Sequence, residues 1–319
     1  SGRTTAGHGG DAEMIVVTGP NGNVGTELVR MLLADGSLPF RIAANTPEKI
    51  ERLYGPDAPK VKFSFGDRST WDATLDGVST LFLLFPLPHP RTAKTWMIPF
   101  VEAARAAGAA HIIYVSVPTA GDTKFVPHYS VERAIEASGV PYSLLRAAYF
   151  SQNLCRDITT HAVDIARDNE ILIPAGKGLT SFVDSRDVAE VALRIMRDPA
   201  AHRNRPYVLT GPEALDFHQV AEIFSEVLGR RIVYREPSML RFWRTVGKRV
   251  TWDTLLFMSG VYFLTRTGKN APLTDTLGEL LGRPPRTMRD FVTDYADRFT
   301  GEAARQSVKV KTPGLFKPT

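Results

Sequence analysis

The chain has little cysteine. Cys155 is its one cysteine in 319 residues, which excludes an intramolecular disulfide and any multi-cysteine zinc site. The 7 histidines are scattered and form no close His/Asp/Glu constellation, so no metal site is expected. No apolar run reaches the roughly 18 residues a membrane helix needs. The longest, 255–264, is interrupted by Ser259 and Gly260. Residues 1–10 have no apolar core, so they do not read as a secretory signal, and a cytoplasmic location without membrane attachment is expected. There is no internal repeat and no low-complexity tract. Charge of one sign is also scarce: 39 basic against 34 acidic side chains leave a net charge of +5.

What is present is ordinary globular material. Hydrophobic residues make up 43% and charged residues 23%, which rules out a mainly disordered or fibrous chain. The length exceeds the usual size of one core, so a large α/β domain with an added lobe, or two domains, is expected.

Met14 to Thr18 is a short β-branched run that reads as a fully buried strand. Helical apolar spacing follows over 24–34. Further strands are expected at 40–44, 61–65, 80–85, 111–117 and 141–146. The intervening helices are expected at 47–53, at 69–75 with Ser69 as cap, at 91–107, and at 127–137. Unbroken alternation to about residue 150 predicts a Rossmann-like doubly wound parallel sheet. Beyond it the pattern loosens. Helices are expected over 153–167, 187–197 (capped by Ser185) and 216–228, and short extended pieces near 170–174, 179–183, 206–210 and 232–234. After Ser238 everything reads as helical. The expected organisation is a flexible N-terminus (1–12), an NAD(P)-binding domain (13–150, with return elements near 180–210), a smaller, mostly helical substrate lobe (151–300) and a flexible tail (301–319).

The first strand runs into Gly19-Pro20-Asn21-Gly22-Asn23-Val24-Gly25. This G-x-x-G-x-x-G loop suits a pyrophosphate. Gly19 permits the turn, Gly22 lets backbone approach the phosphates, and Gly25 allows close helix packing. The helix N-terminus offers free N–H groups and partial positive charge. At the end of the second strand a carboxylate would select NAD, and a basic residue NADP. Here Ala44-Asn45-Thr46 supplies neither, with Arg41, Lys49 and Arg52 nearby. NADP(H) is the preferred expectation, with NAD(H) as the alternative. Asp67, with Arg68, follows the third strand, where it can accept from an adenine amino group or cap a turn.

Three segments carry a family resemblance: Asn21 to Gly25, Gly66-Asp67, and His128-Tyr129-Ser130-Val131-Glu132 through Leu145-Arg146 to Tyr149-Phe150-Ser151-Gln152-Asn153. Together they resemble the NmrA-like branch of atypical short-chain dehydrogenases over roughly 14–230. The helical end, with Gly282-Arg283-Pro284-Pro285-Arg286, looks like bacterial members of that group. The resemblance implies an NAD(P)H-dependent oxidoreductase acting on a small apolar, conjugated acceptor. A quinone, enone, imine or aromatic ring would fit, in secondary metabolism or detoxification. The group also includes proteins that only sense the cofactor. A non-catalytic sensor with a protein partner, or a cofactor-assisted isomerase, is therefore the alternative.

The chain departs from the usual Tyr-x-x-x-Lys pair. Registration with the family puts Lys124 at the tyrosine position and His128 at the lysine position. Tyr129-x-x-x-Arg133 falls one residue out of register, about 100° round the helix. His128 is the expected acid/base, since imidazole changes charge near neutral pH. Lys124 is an auxiliary candidate, against a solvated loop lysine. Ser116, ending the fifth strand, is expected to face the nicotinamide or to be a satisfied buried hydroxyl. Phe85 and Pro86 are expected over the cofactor, and Leu87, Tyr149, Phe150 and Asn153 on the substrate side. Trp243, Trp252, Phe257, Tyr262 and Phe263 could close the pocket as a lid or bury a homodimer interface. The basic run 230–249 reads as a solvated face beside an aromatic stripe, with no nucleic acid expected.

Overall fold

The computed structural model describes residues 14–86, 89–156, 159–268 and 271–300. The expectations for 1–12, for Leu87 and Pro88, and for 301–319 lie outside the described residues. Two compact units are present. One takes the chain up to Leu145 together with Ala192–Pro206; the other takes Arg146–Val191 and the chain from Tyr207 onward.

The first half alternates as expected: β1 (Met14–Thr18), α1 (Asn23–Asp35), β2 (Phe40–Ala44), α2 (Pro47–Tyr54), β3 (Lys60–Lys62), α3 (Trp71–Leu75), β4 (Val78–Leu84), α4 (Pro90–Thr92), α5 (Ile98–Ala106), β5 (His111–Ser116), α6 (Pro127–Ser138) and β6 (Tyr142–Ala147). With β10 (Arg205–Leu209) these strands form a seven-stranded sheet in the order β10-β6-β5-β4-β1-β2-β3. The β1–β2, β1–β4, β2–β3 and β4–β5 pairs are parallel. Strand order reverses between β1 and β4, and in such sheets ligands bind at the carboxyl ends beside that point. The central strands are mostly apolar and buried: Val16, Val17, Phe82, Leu83, Ile112 and Ile113 are fully covered.

Thr18 stitches the two strands at the switch point. Its Oγ1 donates to the Phe82 carbonyl (3.1 Å) and accepts from the Leu84 N–H (3.0 Å). Groups at the ladder's end are thereby satisfied without water, which fixes where the glycine loop and Phe85 leave the sheet.

Several local expectations are corrected. β3 ends at Lys62, before the apolar Phe63 and Phe65, which instead stack on Phe100 of α5. Asp67, not Ser69, caps the turn before α3: its carboxylate accepts from the Ser69 N–H. The helix expected over 91–107 is interrupted by a π-helical turn at Ala93–Met97. The helix expected over 153–167 is a 3-10 turn, Ser151–Leu154, followed by α7 (His161–Asp168).

The second unit holds short strands and helices: β7 (Tyr149–Phe150), β8 (Glu170–Ile171), β9 (Thr180–Val183), α8 (Ser185–Arg197, shared between the units), β11 (Ala214–Leu215), α9 (Phe217–Leu228), β12 (Val233–Tyr234), α10 (Met239–Val246), α11 (Trp252–Arg266), α12 (Thr276–Leu281) and α13 (Met288–Asp294). A three-stranded sheet, β11-β9-β7, was not anticipated, because two of its strands are only two residues long. The core joins Phe217 and Phe224 of α9 to Phe242, Met258, Tyr262 and Phe291.

Two motifs prove to be structural here. Asp184, rather than Ser185, caps α8, accepting from the Arg186 N–H (2.9 Å). Gln152 clamps this corner, donating to Asp184 (2.7 Å) and accepting from the Ser185 N–H (2.9 Å). In the Gly-Arg-Pro-Pro-Arg segment, Gly282 takes the left-handed conformation that ends α12. Arg283 (2.8 Å) and Arg286 both donate to the fully buried carboxylate of Asp187, which also accepts from the Arg286 N–H.

Removing the Asp187 carboxylate takes the carboxylate partner from Arg286 and leaves Arg283, which also pairs with Glu190, with one carboxylate instead of two, both guanidinium groups being partly buried. Asp187→Ala should therefore cost about 3 kcal/mol of unfolding free energy, in the range for breaking a buried pair. Urea unfolding of the two proteins measures this; a difference below about 0.5 kcal/mol would show that the cluster contributes little.

Candidate functional site

The glycine loop has the geometry its sequence requires. Gly19 sits at φ +64°, in the left-handed region. The Gly22 N–H donates to the Gly19 carbonyl (2.9 Å) and the Thr26 N–H to the Gly22 carbonyl (3.1 Å). A Cβ on Gly25 would lie 2.1 Å from the Gly19 oxygen and 2.9 Å from its carbonyl carbon. Backbone meets backbone there, so no other residue fits without moving the loop. The Pro20 carbonyl is held by Thr26 Oγ1 (3.1 Å) and the Tyr54 hydroxyl (2.6 Å). No side chain caps α1 at Gly22, and the helix's N-terminal end carries the partial positive charge that suits an anion.

The other cofactor candidates lie on the same edge of the sheet. Asn45 follows β2, and its carbonyl accepts from Lys62 Nζ at 2.7 Å. Lys62 ends β3 opposite Ala44, and sequence reading missed it because its charge comes from a neighbouring strand. Arg41 is unsuited to a phosphate. Its Nη1 is turned to the carbonyls of Ala73, Thr74 and Asp76. Asp67 is exposed and accepts from the Ser69 N–H and hydroxyl, which hold its carboxyl below the usual range. Arg68 lies over the Trp71 ring. Phe85 is buried and meets His128 edge-on, 5.2 Å between ring centres, while Pro86 is exposed.

Beside this edge the structure brings together a polar cluster within apolar surroundings. Tyr114 and Ser116 lie two apart on β5 and so share a face. His128 and Glu132 lie four apart on α6 and so share a face. The two pairs meet: the Tyr114 hydroxyl is 2.7 Å from His128 Nδ1, and Ser116 Oγ donates to Glu132 at 2.6 Å. All four are buried, Glu132 completely. Ser116 is thus a satisfied hydroxyl bonded to α6. Tyr114 was missed because it sits among the apolar residues Ile112, Ile113 and Val115 of β5; a lone phenol there was the available signal. It supplies a phenol from β5 where the Tyr-x-x-x-Lys pattern would place one on the helix. Lys124 is exposed in the loop before α6. Tyr129 and Arg133 stack on one another, in keeping with their different register.

Burial pushes His128 down to about 3. The expectation that it changes charge near neutral pH is therefore corrected: low dielectric disfavours the imidazolium, and Tyr114 offers it no negative charge. The Tyr114 hydroxyl is pushed well up, by burial and then by Glu132. Proton positions follow from the bonding. If Tyr114 donates to Nδ1, no buried hydrogen is left over, and the imidazole proton sits on Nε2. The reverse direction would orphan the buried Tyr114 O–H, a costlier arrangement. Among the described residues Nε2 has no partner, so it can donate to a ligand.

In the second unit, Tyr149 and Phe150 form β7 and are half-buried, and Asn153 follows in the 3-10 turn. Tyr149 packs edge-on against Phe182 and is hydrogen-bonded to Tyr262 and Asn153. Tyr262, grouped in the sequence with the lid aromatics, is buried instead. Trp252, Phe257 and Phe263 are exposed. The basic run is less solvated than expected. Arg230 donates to the carbonyls of Ile165 and Phe299, Arg241 pairs with Glu170, and Arg249 pairs with Asp164. Two open depressions of about 630 and 480 Å³ occur in this unit, and neither is lined by Tyr149, Phe150 or Asn153. Among the described residues no His/Cys/Asp/Glu group could hold a metal, and no helix is long and apolar enough to cross a membrane.

The strand order, the glycine loop and its position at the switch point define a dinucleotide-type oxidoreductase fold. The NmrA-like family model matches residues 11–250. The chain belongs to that family. It is 30% identical over 295 residues to a (4-alkanoyl-5-oxo-2,5-dihydrofuran-3-yl)methyl phosphate reductase of Streptomyces griseus, covering 91% of this chain and 100% of that one. It is 28% identical over 291 residues to an NAD(P)H azoreductase of Xenophilus azovorans, covering 90% and 99%. Among solved structures it resembles Citrobacter triphenylmethane reductase complexed with NADP(H), at a TM-score of 0.77 and 22% identity, covering 88% and 99%. Within the family it groups with the NAD(P)H-dependent reductases.

Three buried histidines lie below their free value: His111 at about 4, His128 at about 3 and His161 at about 3, each mainly through burial. Their folded values lie below the unfolded value near 6.5, so the unfolded chain binds more protons below that pH. Stability should be flat above pH 7 and fall as pH drops from about 6.5 toward 4. Urea unfolding across pH 7 to 5 should show this, and His128→Gln should flatten the slope by about one proton, roughly 1.4 kcal/mol per pH unit. An unchanged slope in the variant would contradict a buried neutral His128.

Proposed function

We propose that this chain binds NADP(H), or less tightly NAD(H), on the Gly19–Gly25 loop and transfers hydride to a small, apolar, conjugated acceptor. The observation that carries the reading is the uncapped α1 N-terminus, held against the turn by the Gly25–Gly19 approach. That arrangement sets a helix N-terminus, with its partial positive charge, where a pyrophosphate would lie. Lys62 is the residue whose charge favours the 2′-phosphate, by its position beside the Asn45 carbonyl. Asn45, Asp67, Phe85 and Pro86 would flank the adenosine and nicotinamide halves.

The bound cofactor supplies the hydride. The protein's part is to orient the acceptor, exclude water and meet the charge that develops on it. His128 suits the last task as a neutral donor through Nε2, not as an imidazolium acid. Tyr114 fixes its tautomer, and Ser116 with Glu132 anchors β5 to the same helix. Leu87, Tyr149, Phe150 and Asn153 are proposed for the acceptor side, with Lys124 as an exposed auxiliary charge. The names of the relatives support a reductase: one acts on an unsaturated furanone phosphate and another is an azoreductase. The proposed division of labour is a nucleotide domain over 13–150 and a substrate lobe over 151–300.

Titration with NADPH and NADH, followed by nicotinamide fluorescence, tests the site. The wild type should bind NADPH in the micromolar range and more tightly than NADH. Gly25→Ala should weaken both by at least about tenfold, because the loop must open around the new Cβ. Lys62→Glu should weaken NADPH by about tenfold, on the scale of one charge-assisted phosphate contact, and leave NADH nearly unchanged. Equal loss for the two cofactors would remove Lys62 from the 2′-phosphate site, and no binding of either would sink the reductase reading.

A further inference from the structure

The first unit ties its glycine loop to a helix that the reading above gives no part in binding. Tyr54 is the last residue of α2. Its hydroxyl donates to the Pro20 carbonyl at 2.6 Å. Thr26 Oγ1, early in α1, donates to the same carbonyl at 3.1 Å. A carbonyl oxygen has two lone pairs, so the two donors occupy both. Pro20 is buried, whereas Asn21, Gly22 and Asn23 are half-buried. The oxygen is therefore held on the inner side of the loop, and the Asn21–Asn23 run forms its accessible side.

This tie decides between two conformations that the sequence permits. Gly19 to Gly22 is a β-turn, closed by the Gly22 N–H on the Gly19 carbonyl at 2.9 Å. Proline in the second place and asparagine in the third suit both a type I and a type II turn. The two differ in ψ of Pro20 and φ of Asn21, that is, in which way the peptide between them faces. A type II turn needs positive φ at Asn21, which asparagine accepts. Asn21 is not among the residues with positive φ, so the turn is not type II. In a planar trans peptide the C=O and N–H point in opposite directions. With the Pro20 oxygen held inward, the amide end of that peptide dipole faces the accessible side. The flipped peptide would put its oxygen there instead, where it would repel an anion. The loop's own residues allow either state, and the bond from α2 favours one of them.

We propose that Tyr54 is a positioning residue for a dinucleotide's pyrophosphate: with Thr26 it holds the Pro20–Asn21 peptide with its amide end, and not its oxygen, toward the phosphates. This deepens the dinucleotide reading and rests on it for the ligand. The group recognised is the pyrophosphate that NADPH and NADH share, so Tyr54 does not discriminate between them, in contrast to Lys62. Burial pushes the Tyr54 hydroxyl above its ordinary range, so it keeps its hydrogen at neutral pH. Without that hydroxyl Thr26 alone holds the carbonyl, and part of the population takes the flipped turn. Apparent affinity then falls by the fraction of competent turn that is lost.

The test titrates the full chain, Tyr54→Phe, Thr26→Val and the double variant with NADPH, NADH and adenosine 2′-monophosphate, which has no pyrophosphate. Tyr54→Phe should weaken NADPH and NADH by the same factor, about fivefold, on the scale of one neutral hydrogen bond. Adenosine 2′-monophosphate should change by less than about twofold. The double variant should lose more than the two single factors multiplied, because no donor then opposes the flip. In the unliganded Tyr54→Phe protein, the NOE between the Pro20 α-hydrogen and the Asn21 amide should strengthen, since a type II turn brings the two together. An equal loss for adenosine 2′-monophosphate, or lost affinity with an unchanged NOE, would reduce Tyr54 to packing and overturn the proposal. Should Tyr54→Phe not fold, Thr26→Val carries the same comparison. If the wild type binds the dinucleotides and both single variants match it, the proposal alone fails. If the wild type binds neither dinucleotide, the reading of the loop fails and takes the proposal with it.

Discussion

The Gly19 carbonyl oxygen occupies the place where a side chain on residue 25 would begin. With 2.1 Å between that oxygen and an ideal Cβ, the approach is open to glycine alone. Much of the nucleotide edge follows from it. The turn can close directly after β1, α1 can start against the sheet, and its first amides point out at the switch point between β1 and β4. Thr18 adds the complementary constraint by tying β1 to the end of β4, so Phe85 leaves the sheet from a fixed place and meets His128.

The chemistry on offer is that of neutral donors. His128 and His161 are both buried, both held far below a physiological titration range, and both bonded to a tyrosine hydroxyl. At His128 the tyrosine hydroxyl sits on Nδ1, which leaves Nε2 as the donor. That arrangement needs no charged acid, which suits a reaction in which the hydride comes from a cofactor and the acceptor must only be polarised.

Much of the fold was legible because it is periodic. β1 is a β-branched run that ends before Gly19, β2 starts directly after Pro39, and the alternation of strands and helices specified the doubly wound sheet. The errors have physical causes. Phe63 and Phe65 look like strand residues, but their apolar character serves packing on Phe100. The two-residue strands β7 and β11 carry no period to detect. Ser69 and Ser185 lost their capping roles to aspartates one or two positions earlier, Asp67 and Asp184. At the site, the glycine loop was readable from spacing, while Lys62 and Tyr114 were not. Their meaning comes from a neighbouring strand or helix, and a linear pattern does not record what lies beside it. Gln152, Arg283 and Arg286 drew attention as family motifs, and the structure gives each a bonding role around Asp184 and Asp187.

The proposed role of the glycine loop is to carry a nicotinamide whose hydride is delivered to an acceptor. A direct measurement is a single turnover with NADPH deuterated at C4 of the nicotinamide, separately on each face, followed by mass spectrometry of the oxidised cofactor. Deuterium should be lost from the nicotinamide when one face is labelled and kept when the other is, with one cofactor oxidised for each acceptor reduced. Tight binding of NADPH with no label transferred and no cofactor consumed would contradict that role, and would favour a protein that senses the dinucleotide or rearranges its substrate without net redox change.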